Sequence, residues 1–170
     1  MKSYSESRIL PKGLTSEEFY RLMKVVSAKD VTARISFVLA YGSGLRISEV
    51  LKLSPENVTD GQIMVWQGKG KVDRAVPIPK GWKKWMINEL PLKRGERTIE
   101  RKFKAYSRKA GLPQHYVFHS LRHGFGLRAI EKGIPANQVQ LLMGHSSLSV
   151  TNIYTKARPK DALDKYEELF

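Results

Sequence analysis

The chain has 170 residues, of which 41% are hydrophobic and 27% are charged, a composition typical of a single globular domain. Its 30 lysines and arginines outnumber 16 aspartates and glutamates, for a net charge of +14. So basic a surface indicates a polyanionic partner such as nucleic acid, the alternative being a solvated surface without a partner. The lack of cysteine excludes disulfides, thiolate nucleophiles and cysteine zinc sites. Without a membrane-spanning apolar run or a signal peptide, we expect a cytoplasmic protein.

The N-terminal part is predicted to be helical. Thr15 and Glu18 form a capping-box pattern ahead of the first helix. Asp30 is predicted to cap a second, apolar helix, which Gly42 and Gly44 are expected to break.

A third helix is expected to begin near Leu45. It should place Arg46 and Glu49 on a face different from that of its buried residues, which are Ile47, Val50 and Leu51.

After Pro55 the periodicity changes from helical to strand-like. Residues 62–66 are rich in β-formers, and residues 72, 74, 76 and 78 share one parity, so a hairpin is predicted over residues 62–78. Lys69 lies between Gly68 and Gly70 at its turn.

Helices dominate the rest of the chain. They are expected over residues 82–89 and 98–110, from His119 to Gly133, from Pro135 to Gly144, around Tyr154, and over residues 161–170. The fold class expected is α+β, mainly α-helical, with a small antiparallel sheet.

Two arginines and one tyrosine in these elements are suited to phosphoryl transfer. Arginine binds phosphate oxygens bidentately and keeps its charge, so Arg46 and Arg122 could hold one phosphodiester between them. Tyr154, whose unperturbed pKa is about 10, needs such cationic neighbours to act as a nucleophile. The tyrosyl ester that forms would conserve the bond energy, so the step could be reversed without ATP.

Other residues could move protons. Lys69 on the hairpin turn could protonate the leaving 5′ oxygen. His119 and His145 could hydrogen-bond phosphate oxygens or move the proton of the nucleophile, and Glu49 could orient a cationic neighbour. His123 is expected to be structural.

Four motifs in this order resemble the catalytic domain of the tyrosine recombinases, the family of phage integrases and Xer-type recombinases. They are Gly44-Leu45-Arg46-Ile47-Ser48-Glu49, Gly68-Lys69-Gly70-Lys71 followed by Arg74, His119-Ser120-Leu121-Arg122-His123, and Leu142-Met143-Gly144-His145 running to Tyr154.

The resemblance implies a recombinase of prokaryotic or viral origin that uses no metal or cofactor. It implies Tyr154 as nucleophile, Arg46 and Arg122 as phosphate ligands and Lys69, rather than Lys71, as general acid. His119, His145 and Glu49 would support them. Gly124 stands where the family more often has Thr or Ser, which we attribute to packing.

The expected organisation is a linker or leader at residues 1–13, a catalytic domain at 14–160 and a tail helix at 161–170. The resembled family usually has an additional N-terminal helical domain that completes a clamp around DNA, and 170 residues are expected to leave no room for it. The chain would then be either a catalytic fragment or an unusually short recombinase. The expected partners are double-stranded DNA and further copies of the chain, assembled as a tetramer through the tail, with no membrane.

Two other functions fit parts of the pattern. A type IB topoisomerase uses similar tyrosyl-phosphate chemistry to relax DNA. A non-catalytic DNA-binding protein is the second alternative, because residues 135–154 resemble a helix-turn-helix, but this function leaves Arg46 and Lys69 unexplained.

Overall fold

The computed structural model describes residues 13–59, 61–66 and 73–144. Its α-helices are α1 (Ser16–Val25), α2 (Val31–Ser43), α3 (Ile47–Lys52), α4 (Glu96–Lys109), α5 (His119–Glu131) and α6 (Ala136–Met143). Its strands are β1 (Val58–Thr59), β2 (Gln62–Val65) and β3 (Arg74–Pro77), and two 3₁₀ helices span Pro55–Asn57 and Lys84–Glu89. The expected α+β class, mainly helical with a small antiparallel sheet, is confirmed. None of the helices described is long and apolar enough to cross a membrane.

Both N-terminal caps are as the sequence predicts. The Thr15 hydroxyl accepts the Glu18 N–H at 3.2 Å, and the Glu18 carboxylate accepts the Thr15 N–H at 2.9 Å. Asp30 accepts the Ala33 N–H at 3.2 Å and pairs with Lys102 of α4 at 2.6 Å. Burial alone would raise the pKa of Asp30, but its hydrogen bonds to Lys102 and Ala33 lower it below 3.8. The charged carboxylate therefore ties the start of α2 to α4.

The end of α2 differs from the prediction. Gly42 does not break the helix, which continues to Ser43 and ends at Gly44 with φ of 69°. A Cβ at Gly42 would lie 2.2 Å from Cβ of Pro79, so glycine is needed there for close approach between chain segments.

The hairpin is confirmed, and the sheet has one more strand than expected. β2 and β3 pair antiparallel from Gln62 opposite Pro77 to Val65 opposite Arg74. β1 adds a third strand, pairing Val58 with Ile63, and at two residues it is too short for a period to be recognised. The turn with Lys69 and Lys71 lies outside the described residues.

The later helices need small corrections. The segment predicted as a helix at 82–89 is a 3₁₀ helix from residue 84, and α4 begins at Glu96, two residues earlier than expected. α6 ends as predicted at Gly144, whose φ is 63°. The segments with His145 and Tyr154, and the tail at 161–170, lie outside the described residues.

The core is organised around α2, in which nine of 13 residues are buried. One side packs Phe37 against Phe103 and Leu121 of α4 and α5. The other side packs Ile35 and Leu39 into a cluster with α3 and the sheet. Because α5, α6, α3 and β3 all meet beside the C-terminal end of α2, polar residues on these four elements lie close together there.

Candidate active site

Glu49 of α3 is the centre of this polar region. Its side chain is 9% exposed. One carboxylate oxygen accepts Nη1 of Arg46 at 3.1 Å and Nη1 of Arg74 at 2.9 Å. The other accepts the backbone N–H of Arg46 at 2.8 Å and Nη2 of Arg74 at 2.9 Å, with Nη1 of Arg122 at 3.9 Å. We call Arg46, Arg74 and Arg122 the arginine cluster.

The burial of Glu49 corrects the prediction for α3. Glu49 points into the protein, whereas Ile47 and Leu51, expected to be buried, are only partly buried. A buried carboxylate is tolerated only when it is paired and fully hydrogen-bonded. The arginine cluster meets this requirement, so Glu49 shares the buried side of the helix with Val50.

The arginine cluster also binds the C-terminal end of α6. Each arginine donates to a different carbonyl: Arg74 Nε to Leu142 at 2.8 Å, Arg122 Nη2 to Met143, and Arg46 Nη2 to Gly144 at 3.2 Å. The last carbonyls of a helix lack partners within it and carry partial negative charge, so cations are favoured there. These bonds fix the point from which the chain continues to His145.

The two arginines predicted to bind phosphate differ in access. The Arg122 side chain is 1% exposed, and its Nη1 also donates to the carbonyl of Gly44, where α2 ends. The Arg46 side chain is 36% exposed. Arg46 therefore meets solvent directly, whereas Arg122 is buried and hydrogen-bonded to backbone carbonyls.

His119 lies at the start of α5 in the field of these arginines. Desolvation by partial burial lowers its pKa below 6.5, and the charges of Arg122 and Arg46 lower it further. Its ring meets that of His123 edge-on, with centroids 4.6 Å apart. At neutral pH the imidazole is uncharged, so it can accept a proton or donate a hydrogen bond.

The structure thus brings together four of the site residues predicted from the sequence: Arg46, Glu49, His119 and Arg122. Lys69, His145 and Tyr154 lie outside the described residues, and their roles stay predictions.

Comparison with known proteins decides the family. A family model described as the phage integrase family matches residues 12–161. The chain belongs to the phage integrase family. This integrase-family chain is 35% identical over 180 residues to the tyrosine recombinase XerA of Pyrococcus furiosus, covering 94% of the chain and 62% of XerA. It therefore spans less than two thirds of that relative's length.

Solved structures show the same integrase fold. One match is to a crystal structure of XerA recombinase, with a TM-score of 0.76 and 23% sequence identity. It covers 94% of this chain and 65% of the XerA chain. Another match is to XerH site-specific recombinase in a post-cleavage complex with palindromic difH substrate, with a TM-score of 0.74 and 25% sequence identity. It covers 97% of this chain and 55% of the XerH chain.

Sequence reasoning did not single out Arg74 as part of the integrase site. Along β3, Arg74 and Val76 are buried, whereas Ala75 between them is exposed. A buried arginine requires a partner. In the sequence, the signal for such a pair was that Arg74 stands two residues before Val76, on the same face of the predicted strand. The partner, Glu49, is 25 residues away in the sequence, so only the fold reveals the pair.

The pKa of His119 should respond to an anion bound by the arginines. We expect inorganic phosphate to raise this pKa, because a negative charge among Arg46 and Arg122 offsets the field that lowers it. Long-range ¹H–¹⁵N spectra of the imidazole, recorded across pH 4–8, measure the shift. Arg46→Gln should raise the pKa of His119 even without phosphate, because it removes one of the two nearby positive charges. If neither phosphate nor Arg46→Gln alters this pKa, the arginines do not lower it.

Proposed function

We propose that this chain is the catalytic domain of a site-specific recombinase that cleaves and rejoins double-stranded DNA through a 3′-phosphotyrosyl intermediate. The observation that carries the proposal is the placement of Arg46 and Arg122 around one buried glutamate, beside a neutral His119. Two guanidinium groups held in this way are suited to the non-bridging oxygens of one phosphodiester.

In the proposed cleavage step, Tyr154 attacks phosphorus. Its phenolic proton is lost to a base, for which His119 and His145 are the candidates, and an O–P bond forms. Arg46 and Arg122 stabilise the charge that develops on the non-bridging oxygens. The bond from phosphorus to the 5′ oxygen breaks, and Lys69 supplies the proton for that oxygen. Attack of a 5′ hydroxyl on the phosphotyrosine reverses the sequence and needs no ATP.

Two tyrosines in the described part of the chain, Tyr106 and Tyr116, are poorly suited to act as the nucleophile. The Tyr106 hydroxyl donates to Asp30 at 3.0 Å, and the Tyr116 hydroxyl donates to Glu18 at 3.0 Å. Burial and the neighbouring carboxylate raise both pKa values, that of Tyr116 to about 12. This opposes the phenolate form at Tyr106 and Tyr116, so neither competes well with Tyr154 for the proposed role.

The proposed substrate is duplex DNA bound by several copies of the chain. The net charge of +14 favours a phosphate backbone, and the XerH relative was crystallised on its difH substrate. Residues 161–170 carry four acidic residues and one lysine, a net −3, so the other 160 residues carry 14 − (−3) = +17. DNA repels such a tail, so we assign it to a neighbouring protomer in a tetramer.

A two-duplex assay tests this function. Duplexes selected from a randomised library by binding are nicked near the cleavage position, so that the released fragment diffuses away and the covalent complex accumulates. We expect an adduct on denaturing gels in the presence of EDTA and, with intact duplexes, strands joined between two DNAs.

Deletion of residues 161–170 should preserve adduct formation and reduce joining between duplexes. Adduct formation with relaxation of supercoiled plasmid, but no joining between duplexes, would favour a topoisomerase. Binding without any adduct would contradict catalysis altogether.

A further inference from the structure

Arg74, like Arg122, is a buried member of the arginine cluster. Its side chain is 7% exposed, and all of its guanidinium nitrogens donate within the protein, Nε to Leu142 and the two terminal nitrogens to Glu49. Its guanidinium also lies against Gly144, where an added Cβ would be 2.8 Å from Nη1. The donors of Arg74 are therefore directed at Glu49 and at the end of α6.

The neighbour that matters is Glu49. The arginine cluster and Glu49 together carry +3 − 1 = +2, and Arg74 forms the two-pronged pair with the carboxylate. Arg122 stays 3.9 Å from the same carboxylate, beyond hydrogen-bond distance. Arg46 shares the carboxylate with Arg74, because its Nη1 donates to one oxygen at 3.1 Å and its backbone N–H donates to the other at 2.8 Å.

A carboxylate this deeply buried takes whatever cation is nearest if its partner is removed, because an unpaired buried charge is very costly. Without Arg74, the remaining cations are Arg46, which already donates to Glu49, and Arg122, which lies 3.9 Å from it. Both would be held more tightly by the carboxylate and drawn away from a phosphate.

We propose that Arg74 is a positioning residue: by pairing with both oxygens of Glu49 it offsets the charge of this carboxylate, so that Arg46 and Arg122 are held less tightly by Glu49 and stay available for an anionic phosphate. This inference rests on the proposed function for its DNA substrate, but the phosphate site it concerns can be measured separately.

Four variants test it. Arg74→Ala removes the partner and leaves Glu49 charged. Arg74→Ala with Glu49→Gln removes both charges and restores the local sum to +2. Arg74→Lys keeps the charge but cannot donate to both oxygens and Leu142 at once. Arg34→Ala is the matched control, because Arg34 also binds helix-end carbonyls, those of Val26 at 2.8 Å and Ser27 at 3.1 Å, away from Glu49.

The first measurement is the rate of adduct formation at saturating DNA, with thermal unfolding used to confirm that each variant is folded. We expect Arg74→Ala to slow cleavage about 100-fold with little change in DNA affinity, as for a displaced catalytic group. The double variant should recover at least 10-fold of this loss, and Arg74→Lys should lie between, in line with partial pairing. Arg34→Ala should cleave within about 3-fold of the parent protein, since it leaves the site intact.

A double variant no faster than Arg74→Ala would overturn the proposal, because a purely structural arginine is not replaced by removing its partner. Cleavage by Arg74→Ala at the parent rate would overturn it as well. If Arg74→Ala does not fold, the cleavage rates of Arg74→Lys and Arg74→Lys/Glu49→Gln are compared instead. A double variant that is no faster than Arg74→Lys would then overturn the proposal.

The second measurement is the affinity for inorganic phosphate, followed through the His119 imidazole signals. Arg74→Ala should bind phosphate at least 10-fold more weakly than the parent protein, and the double variant should recover. If this pattern holds while the parent protein forms no DNA adduct, the proposed function is wrong and the role of Arg74 stands. If the parent protein forms the adduct but neither measurement recovers in the double variant, the role of Arg74 is wrong and the function stands.

Discussion

Replacement of Tyr154 by phenylalanine is expected to abolish the covalent protein–DNA complex. The substitution removes one oxygen, the atom proposed to form the ester, and leaves the aromatic ring in place. We expect adduct formation to fall by at least about 10⁴-fold, as when a nucleophile is removed from other covalent enzymes. Denaturing gels with nicked duplex measure the fall.

DNA affinity should be unchanged in this variant, because phosphate is proposed to be bound by Arg46 and Arg122. Tyr20→Phe is the matched control, since Tyr20 is 61% exposed on α1 and has no proposed role. An adduct in Tyr154→Phe at the parent level would assign the nucleophile to another residue.

Replacement of Lys69 by alanine is expected to slow cleavage about 1,000-fold, within the range for loss of a general acid. The leaving 5′ oxygen would then depart as an alkoxide, which is a poor leaving group. Lys69 lies between two glycines in the sequence that connects β2 to β3, and its role as general acid is a prediction.

A 5′-bridging phosphorothioate separates proton donation from binding. Its sulfur leaves as a thiolate without protonation, so Lys69→Ala should cleave this substrate nearly as fast as the parent protein. Lys80→Ala, which removes an exposed lysine just after β3, should cleave both substrates normally. No rescue in Lys69→Ala together with rescue in Lys71→Ala would transfer the role to Lys71.

Local patterns predicted most of the fold. The capping box at Thr15, the Asp30 cap and the glycine that ends α6 depend on neighbouring residues, and each is found. Gly42 was wrongly predicted to break α2, because glycine is needed there for close contact with Pro79, which is 37 residues away in the sequence. β1 was missed because two residues of strand have no period.

The site was predictable to the extent that motifs mark it. Arg46, His119 and Arg122 could be identified because they stand in recognisable motifs. The burial of Glu49 and its pairing with Arg74 could not, since the pair joins α3 to β3 through the fold and helical spacing suggested a different orientation.

The structure gives a physical reason for glycine at position 124. A Cβ there would lie 2.6 Å from the carbonyl oxygen of Leu14 and 3.0 Å from the ring of Tyr41. The segment that enters α1 therefore crosses α5 too closely for a side chain, in agreement with the packing explanation for this departure from the family pattern.

Identification of the residue joined to DNA tests the central claim most directly. The adduct formed in EDTA is digested with nuclease and protease, and the peptide that carries the residual nucleotide is sequenced by mass spectrometry. The account predicts a 3′-phosphate ester on Tyr154, one of seven tyrosines in the chain. A nucleotide attached to any other residue, a 5′-linked phosphate, or an adduct that requires a divalent metal would contradict it.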